Sequence, residues 1–260
     1  MNNRYFKFLS LILGALLITS ADALVDEYKV IKVNGEIIYK SSGKEMSTGD
    51  VFKSNSPLVF KTDDARAAVI SKVKGRFVLA PPSKSKKTNL VPAVNNISSR
   101  SGALVNELDL KNHFSGKYLV LKRLELPISE NNFPQDANHF FFISYEYEGE
   151  KIAKKLSNDG NKLIIDEEEL FTIDETPIGS FNTKMTLFYR NAETKENRTI
   201  STFEPIFPNY DLLEKEVNVI LNEYEEKDED KQFNEVKGYL TEFYGKPYDD
   251  NLKTWINKID

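Results

Sequence analysis

The residues best suited to chemistry in this 260-residue sequence form an acidic run, DEEE at 166–169. Two carboxylates can hydrolyse a glycosidic bond when they face each other about 5 to 10 Å apart across a cleft. Four consecutive acids directly after an apolar stretch are more typical of the polar start of a helical turn, here ending at Leu170 and Phe171. We therefore predict a helical turn, and a hydrolase with paired carboxylates is the third of three functional hypotheses.

Metal and imidazole chemistry has few residues to use in this chain. The sequence contains no cysteine and two histidines, His113 and His139, and neither has ligand-type residues at metal-binding spacing. The acids at 228–230 lack the glycine and the distant glutamate of a calcium loop, and no phosphate-binding or nucleophile motif occurs. The sequence therefore predicts structural histidines, a solvated helix joint at 228–230, no metal, no cofactor and no catalytic residue.

The first 23 residues have the order of a secretory signal peptide. Arg4 and Lys7 precede an apolar stretch at 8–18, and small residues follow up to the sequence ADA at 21–23. The alternative is a permanent membrane anchor, but the apolar run is shorter than the roughly 20 residues that cross a bilayer. We expect cleavage after Ala23 and a periplasmic or extracellular protein that does not span the membrane.

Residues 24–82 are predicted to form a small all-β domain. Short apolar runs alternate with glycine turns, a pattern typical of a sandwich or a small barrel. Five segments are VNGEI at 33–37, GK at 43–44, GDV at 49–51, FKTDDARAAV at 60–69 and GRFVL at 75–79. Over residues 28–80 they resemble the FecR-type β domain of bacterial envelope proteins. The resemblance implies a small β domain in an envelope context and places no catalytic residue.

The middle of the chain is predicted to form a second β domain. Pro81 and Pro82 end the first domain, and the Lys/Ser/Asn-rich residues 83–102 have the composition of a linker. Residues 103–207 contain apolar and alternating runs separated by turn sequences such as NDGN at 158–161. We predict an immunoglobulin-like β-sandwich of six to eight strands, without the cysteine and tryptophan signature of true immunoglobulin domains.

Residues 208–260 change to the helical period of 3.6 residues. Asn209 can cap a first amphipathic helix, and the acidic residues 225–230 interrupt the pattern before a second helix. The DD pair at 249–250 can cap a third helix. The apolar side of this third helix carries four residues that we predict to bind a partner protein: Leu252, Trp255, Ile256 and Ile259. The helices are too short to be stable alone, so their apolar stripes must pack on each other, on the sandwich or on a partner.

The charge distribution argues against nucleic acid as a partner. Residues 101–260 hold 19 basic and 32 acidic residues, whereas phosphate backbones attract basic surfaces. With no recognisable chemistry, the modular layout predicts a non-catalytic envelope protein that acts as an adaptor or scaffold for a partner protein. The alternative is a carbohydrate- or peptidoglycan-binding module that stacks a glycan on aromatic residues of the segment 139–147.

Overall fold

A computed structural model describes residues 25–81, 90–93, 104–224 and 229–259. The predicted signal peptide, most of the predicted linker and residues 225–228 of the acidic joint lie outside these ranges. Within them the chain is 41% strand and 23% helix, which confirms the predicted mainly β class with a short C-terminal helical segment. No helix in the described ranges has both the length and the apolar character needed to cross a bilayer.

The N-terminal β domain contains seven short strands within the described residues. They are β1 (Glu27–Asn34), β2 (Ile37–Tyr39), β3 (Val51–Lys53), β4 (Leu58–Phe60), β5 (Arg66–Ser71), β6 (Gly75–Leu79) and β7 (Leu90–Pro92). Five of them form an antiparallel sheet in the order β3-β1-β5-β6-β7, and β2 pairs separately with β4. The turn between β1 and β2 needs glycine, because Gly35 has a φ of +74° and a Cβ there would lie 3.0 Å from the Ala65 Cα.

The seventh strand lies inside the predicted linker. It pairs with β6 through Leu79 opposite Leu90 and Phe77 opposite Pro92, and the half-buried Leu90 packs on the core of this domain. The first domain therefore continues to Pro92, beyond the predicted boundary at residue 82. The local composition of these residues favours a linker. The strand is defined by its pairing with β6, which lies on the other side of the Lys/Ser-rich segment in the sequence.

The sandwich contains nine strands and two short helices within the described residues 104–207. The helices are α1 (Glu107–His113) and α2 (Glu167–Leu170). The strands are β8 (Gly116–Leu119), β9 (Arg123–Pro127), β10 (His139–Tyr147), β11 (Glu150–Lys155), β12 (Lys162–Asp166), β13 (Thr172–Ile173), β14 (Thr176–Pro177), β15 (Met185–Asn191) and β16 (Glu196–Ile206). These nine strands exceed the predicted six to eight, because the two-residue strands β13 and β14 form an additional short antiparallel pair.

The strands of the sandwich form two layers around one apolar core. The larger sheet has the order β11-β10-β15-β16-β8-β17, where β17 (Lys246–Pro247) comes from the C-terminal segment. The antiparallel pair β9-β12 packs across the core, so that Leu124 and Leu163 share one buried cluster with Phe141. Strand β8 runs parallel to both β16 and β17. Immunoglobulin domains consist of antiparallel sheets, so the parallel pairing of β8 is a difference from the predicted immunoglobulin-like sandwich. The local residue pattern does not encode strand direction.

A glycine allows the C-terminal segment to join the sandwich. Gly245 directly precedes β17, and a Cβ at this position would lie 2.8 Å from the backbone of Lys117 in β8. Its φ of +143° is also a conformation that other residues rarely adopt. Gly245 therefore allows the backbone of the C-terminal segment to lie close to the backbone of β8.

The C-terminal segment forms three helices, α3 (Tyr210–Leu221), α4 (Glu229–Phe243) and α5 (Asp249–Ile259), here called the helical segment. Asn209 caps α3 as predicted, because its Oδ1 accepts a hydrogen bond from the Leu212 N–H. The helices pack on both β domains in one shared core. Its buried residues are Ile31, Ala68, Ile70, Leu119, Leu121, Ile206, Leu213, Val217, Ile220, Tyr224, Val236, Tyr239, Leu240, Leu252 and Trp255.

Buried ion pairs join the helical segment to the N-terminal β domain. Lys32 of β1 donates to Glu216 of α3 at 2.9 Å and to the Tyr244 hydroxyl at 2.7 Å. The other oxygen of Glu216 accepts hydrogen bonds from Tyr244 and from Tyr239, the latter at 2.6 Å. Burial and the Glu216 carboxylate both raise the pKa of the Tyr239 hydroxyl, which therefore remains a donor. The helices and the first domain are thus fixed to each other.

A second buried cation reinforces the same junction. The Arg76 side chain of β6 has no exposed surface and pairs with two carboxylates of α4, those of Glu235 and Glu242. Burying a charge without such partners would be very unfavourable. The arrangement therefore makes the position of α4 against β6 specific.

Candidate functional site

The candidate site is a groove between β9 of the sandwich and helices α3 and α5. It has a volume of about 690 Å³, within the range of sites that bind small molecules or peptide side chains. Its lining residues, which define the groove, are Leu121, Lys122, Arg123, Glu125, Pro127, Lys162, Tyr210, Asp211, Glu214, Tyr248, Asp250, Asn251, Thr254, Trp255, Lys258 and Ile259. Both charge signs and three aromatic residues are present.

The wall on the sandwich side carries an exposed ion network. Glu125 of β9 pairs with Arg123 at 3.1 Å and with Lys162 of the neighbouring strand at 2.9 Å. Arg123 also pairs with Asp166 at 3.2 Å. The Lys162 and Arg123 cations lower the pKa of the Glu125 carboxyl, so this carboxylate is held ionised rather than poised to transfer a proton.

The corner of the groove is fixed by Tyr210 at the start of α3. Its hydroxyl accepts a hydrogen bond from the Lys122 N–H at 2.7 Å and donates one to Glu167 at 2.6 Å. Burial and the Glu167 carboxylate raise the pKa of this hydroxyl. The Lys122 ammonium lies 5.1 Å from the centre of the Tyr210 ring. Tyr210 is therefore a structural link between the sandwich and α3.

Helix α5 forms the third wall through residues on one side. Asn251 donates from Nδ2 to the Arg123 carbonyl at 2.7 Å, which holds the helix beside strand β9. The Oδ1 of Asn251 is buried and has no hydrogen-bond partner among the described residues. Tyr248 donates to Asp250 at 2.9 Å. Thr254 is exposed and lines the groove one turn further along the helix.

The four residues predicted to bind a partner do not form one accessible stripe. Leu252 has no exposed surface and Trp255 is 7% exposed, because both pack into the shared core of the chain. Ile256 and Ile259 are half-buried against the same core. A partner cannot contact the whole stripe in this fold, which corrects the prediction for Leu252. Trp255 and Ile259 present an edge to the groove.

The acidic run at 166–169 forms the predicted helical turn. Asp166 is the N-cap of α2 and accepts hydrogen bonds from the backbone N–H groups of Glu168 and Glu169. Glu169 accepts from Ser157, and Glu167 accepts from Tyr210. Three of the four carboxylates have these structural partners, and Glu168 is exposed.

The histidines have structural partners too. His113 lies 2.6 Å from the Tyr118 hydroxyl and packs on Phe114 and Tyr248. Burial, with a contribution from the Lys246 charge, lowers its pKa from 6.5 to about 4. His139 lies 3.1 Å from Asp136. Among the described residues, no group of three or more His, Asp or Glu side chains is placed to hold a metal ion.

The aromatic strand at 139–147 divides its residues between two faces. Phe141 and Tyr145 are buried in the sandwich core, and Phe140 and Phe142 are half-buried on the outer face. Phe142 stacks on Phe188 with ring centres 4.8 Å apart, and Lys155 lies over the Phe140 ring at 4.4 Å. Each of these two rings has one such neighbour, and Phe140, Phe142 and Tyr147 keep part of their surface exposed. The glycan-binding alternative therefore stays a prediction.

Sequence reasoning missed Arg123, Glu125 and Asn251, which bring strand β9 and helix α5 together. Asn251 and Arg123 are 128 residues apart, and neither belongs to a motif with a known spacing. The prediction of a functional third helix was the one signal that pointed to this part of the molecule.

Comparison of the sequence with protein-family models finds no match, and no curated protein matches it. Function therefore has to be inferred from the sequence and from the geometry of the groove.

Proposed function

We propose that the chain is a non-catalytic adaptor of the bacterial cell envelope that binds a partner protein in the groove between β9 and α5. The observation that carries this proposal is the groove itself. It is concave, it lies where the sandwich meets the helical segment, and it has polar, charged and aromatic lining residues. Sites at junctions between folding units are common positions for binding.

A scaffold role is supported by how firmly the walls are held. Helix α3, which forms one wall, is tied to the N-terminal β domain through Glu216 and Lys32. Helix α5, which forms another, pairs through Asp249 with Lys237 of α4 at 2.7 Å, and Arg76 ties α4 to the same domain. The groove is therefore preorganised, which reduces the entropy that binding would cost. In this proposal the FecR-like domain supplies the envelope context, and the predicted signal peptide directs the chain to the periplasm or outside the cell.

A binding role fits the carboxylates of the groove better than catalysis. Glu125 is held between two cations, and Asp250 accepts a hydrogen bond from Tyr248. A general acid would need a carboxyl with a raised pKa, and the shift at Glu125 has the opposite sign.

Two matched variants on α5 test the proposal. Thr254→Trp places a large side chain in the groove, whereas Asn257→Trp adds the same side chain at an exposed position that does not line it. Point variants are preferable to deletion of the helices, because a chain ending at residue 207 would lose most of the shared core.

The secreted chain 24–260 and both variants would be used to capture proteins from envelope extract after cross-linking. We expect the same specific proteins with the unmodified chain and with Asn257→Trp, and their loss with Thr254→Trp. Equal capture by all three chains would refute binding in the groove.

A further inference from the structure

We infer that the groove receives its partner as an extended segment that forms backbone hydrogen bonds with Glu125 of β9. This inference rests on the proposed function, because it names the form that a partner protein takes in the same groove. Addition of a strand to an exposed sheet edge is a general mode of peptide recognition, in which backbone groups supply hydrogen bonds and pockets select side chains.

The direction of the Glu125 backbone follows from its opposite residue. Glu125 faces Ile164 in the antiparallel pair β9-β12. The Ile164 N–H donates to the Ser157 carbonyl at 3.2 Å, so it points away from β9. Opposite residues of an antiparallel pair either exchange both hydrogen bonds or direct both backbone groups outward. The Glu125 N–H and C=O therefore point away from β12, toward the free side of β9.

The neighbouring outward positions of β9 are already satisfied. The Arg123 carbonyl accepts from Asn251 at 2.7 Å, and the Pro127 carbonyl accepts from the Leu104 N–H at 3.1 Å. Pro127 has no N–H of its own. In the described part of the chain, no residue beyond the strand pair bonds the Glu125 backbone. Among the described residues, the N–H and C=O of Glu125 thus have no backbone partner, between two positions whose carbonyls are hydrogen-bonded.

This edge differs from the free edge of the larger sheet. Strand β11 carries Lys151, Lys154 and Lys155, and lysines on an edge strand discourage pairing with another chain. Strand β9 instead borders the groove through Arg123, Glu125 and Pro127. The outward N–H and C=O of Glu125 provide one donor and one acceptor for the backbone of an extended polypeptide.

The side walls indicate which residues the strand would carry. Asp211 and Glu214 on α3 are exposed, line the groove and have no ion pair among the described residues. They favour a lysine or arginine of the partner on that side. The edge of Trp255 with Ile259 favours an apolar partner residue on the other side. The proposed partner is therefore an extended protein segment with at least one basic and one apolar side chain.

A peptide with a defined sequence provides the probe. Random linear dodecapeptides displayed on phage would be selected on chain 24–260, and binders retained by Thr254→Trp would be discarded. The best peptide would then be synthesised with single N-methyl groups at each position in turn. We expect at least about tenfold weaker binding at one or two inward-facing positions and less than about twofold change at their neighbours.

Two variants of the protein test the same hydrogen bonds from the other side. Glu125→Pro removes the outward N–H but no bond of the β9-β12 pair, whereas Glu125→Ala removes only the side chain. We expect at least about tenfold weaker peptide binding for Glu125→Pro than for Glu125→Ala. Thermal unfolding checks that both variants fold. Should Glu125→Pro fail to fold, the N-methyl series alone decides.

The outcomes separate this inference from the proposed function. A groove-dependent peptide whose affinity is unaffected by N-methylation at every position would overturn strand addition and leave the groove as a binding site. Selection that yields no peptide sensitive to Thr254→Trp would contradict both. Self-association of the chain that Glu125→Pro abolishes would identify the added strand as part of a second copy and contradict a distinct partner protein.

Discussion

The helical segment meets the N-terminal β domain and the strand β9 through surfaces of different character. Toward the first domain, Arg76 is buried and Lys32 is half-buried, and each is matched by carboxylates from the helices. Toward β9, Asp211 and Glu214 are exposed and have no ion pair among the described residues, and a groove of about 690 Å³ separates the elements. The helical segment therefore has one closed junction and one open junction, and α3 takes part in both.

The difference indicates where substitutions should affect stability and where they should affect the proposed binding. Loss of one partner from a buried ion pair costs several kcal/mol, whereas exposed charges contribute about 0 to 1 kcal/mol. The closed junction is consequently where the fold is sensitive to substitution, and the open junction is where residues are free to serve binding. The predictions below test this contrast in order of expected effect.

Two glutamates on α3 provide the largest contrast. Glu216→Ala leaves the half-buried Lys32 without its carboxylate and the buried Tyr239 hydroxyl without its acceptor, so we expect the free energy of unfolding to fall by about 2 to 4 kcal/mol. Glu214→Ala, two residues earlier in the same helix, removes an exposed charge and should change the free energy of unfolding by less than about 0.5 kcal/mol. Urea denaturation of both variants measures these free energies of unfolding. Similar losses of stability in the two variants would contradict the difference between the closed and the open junction.

A pH titration tests the junction between α1, β8 and Tyr248. Because the pKa of His113 falls from 6.5 to about 4 in the fold, the folded state binds fewer protons than the unfolded state in this range. Stability should therefore decrease as the pH falls from about 6.5 to about 4, by up to about 3 kcal/mol from this residue.

His113→Gln should remove that part of the pH dependence, which denaturation at a series of pH values would measure. An unchanged pH profile in this variant would show that His113 does not titrate as its burial implies.

Enlarging a small residue on each side compares the packing of the two junctions. Ala68 of β5 is fully buried in the shared core, so Ala68→Leu should destabilise the chain by about 1 to 3 kcal/mol through overpacking. Thr254→Trp enters the open groove and should change stability by less than about 0.5 kcal/mol. Thermal unfolding distinguishes the two variants. A large loss of stability for Thr254→Trp would mean that the groove is not open.

The sequence predicted elements whose signals are local. The apolar stripe of Leu213, Val217 and Ile220 with its Asn209 cap predicted α3, and the acidic run predicted the turn α2. Strand β7 and the parallel pairing of β8 depend on contacts between distant segments, which local periodicity does not contain. Both were therefore missed.

The candidate site was predictable only in part for the same reason. The third helix could be recognised, but which of its residues are accessible depends on what packs against them. Leu252 and Trp255 look like a free apolar stripe in sequence, and the two β domains bury them in the shared core. Glu216 looks like a surface residue of α3, and its burial depends on Lys32, 184 residues away.

Residue-resolved hydrogen exchange of chain 24–260 tests most directly whether the β9 edge is open. The N–H groups of Leu124 and Leu126 point toward β12, whereas that of Glu125 points away from it. The account predicts that the Glu125 amide exchanges on the order of 100-fold faster than both neighbours. Equal protection of all three amides would show that the edge is already covered and would contradict the open junction.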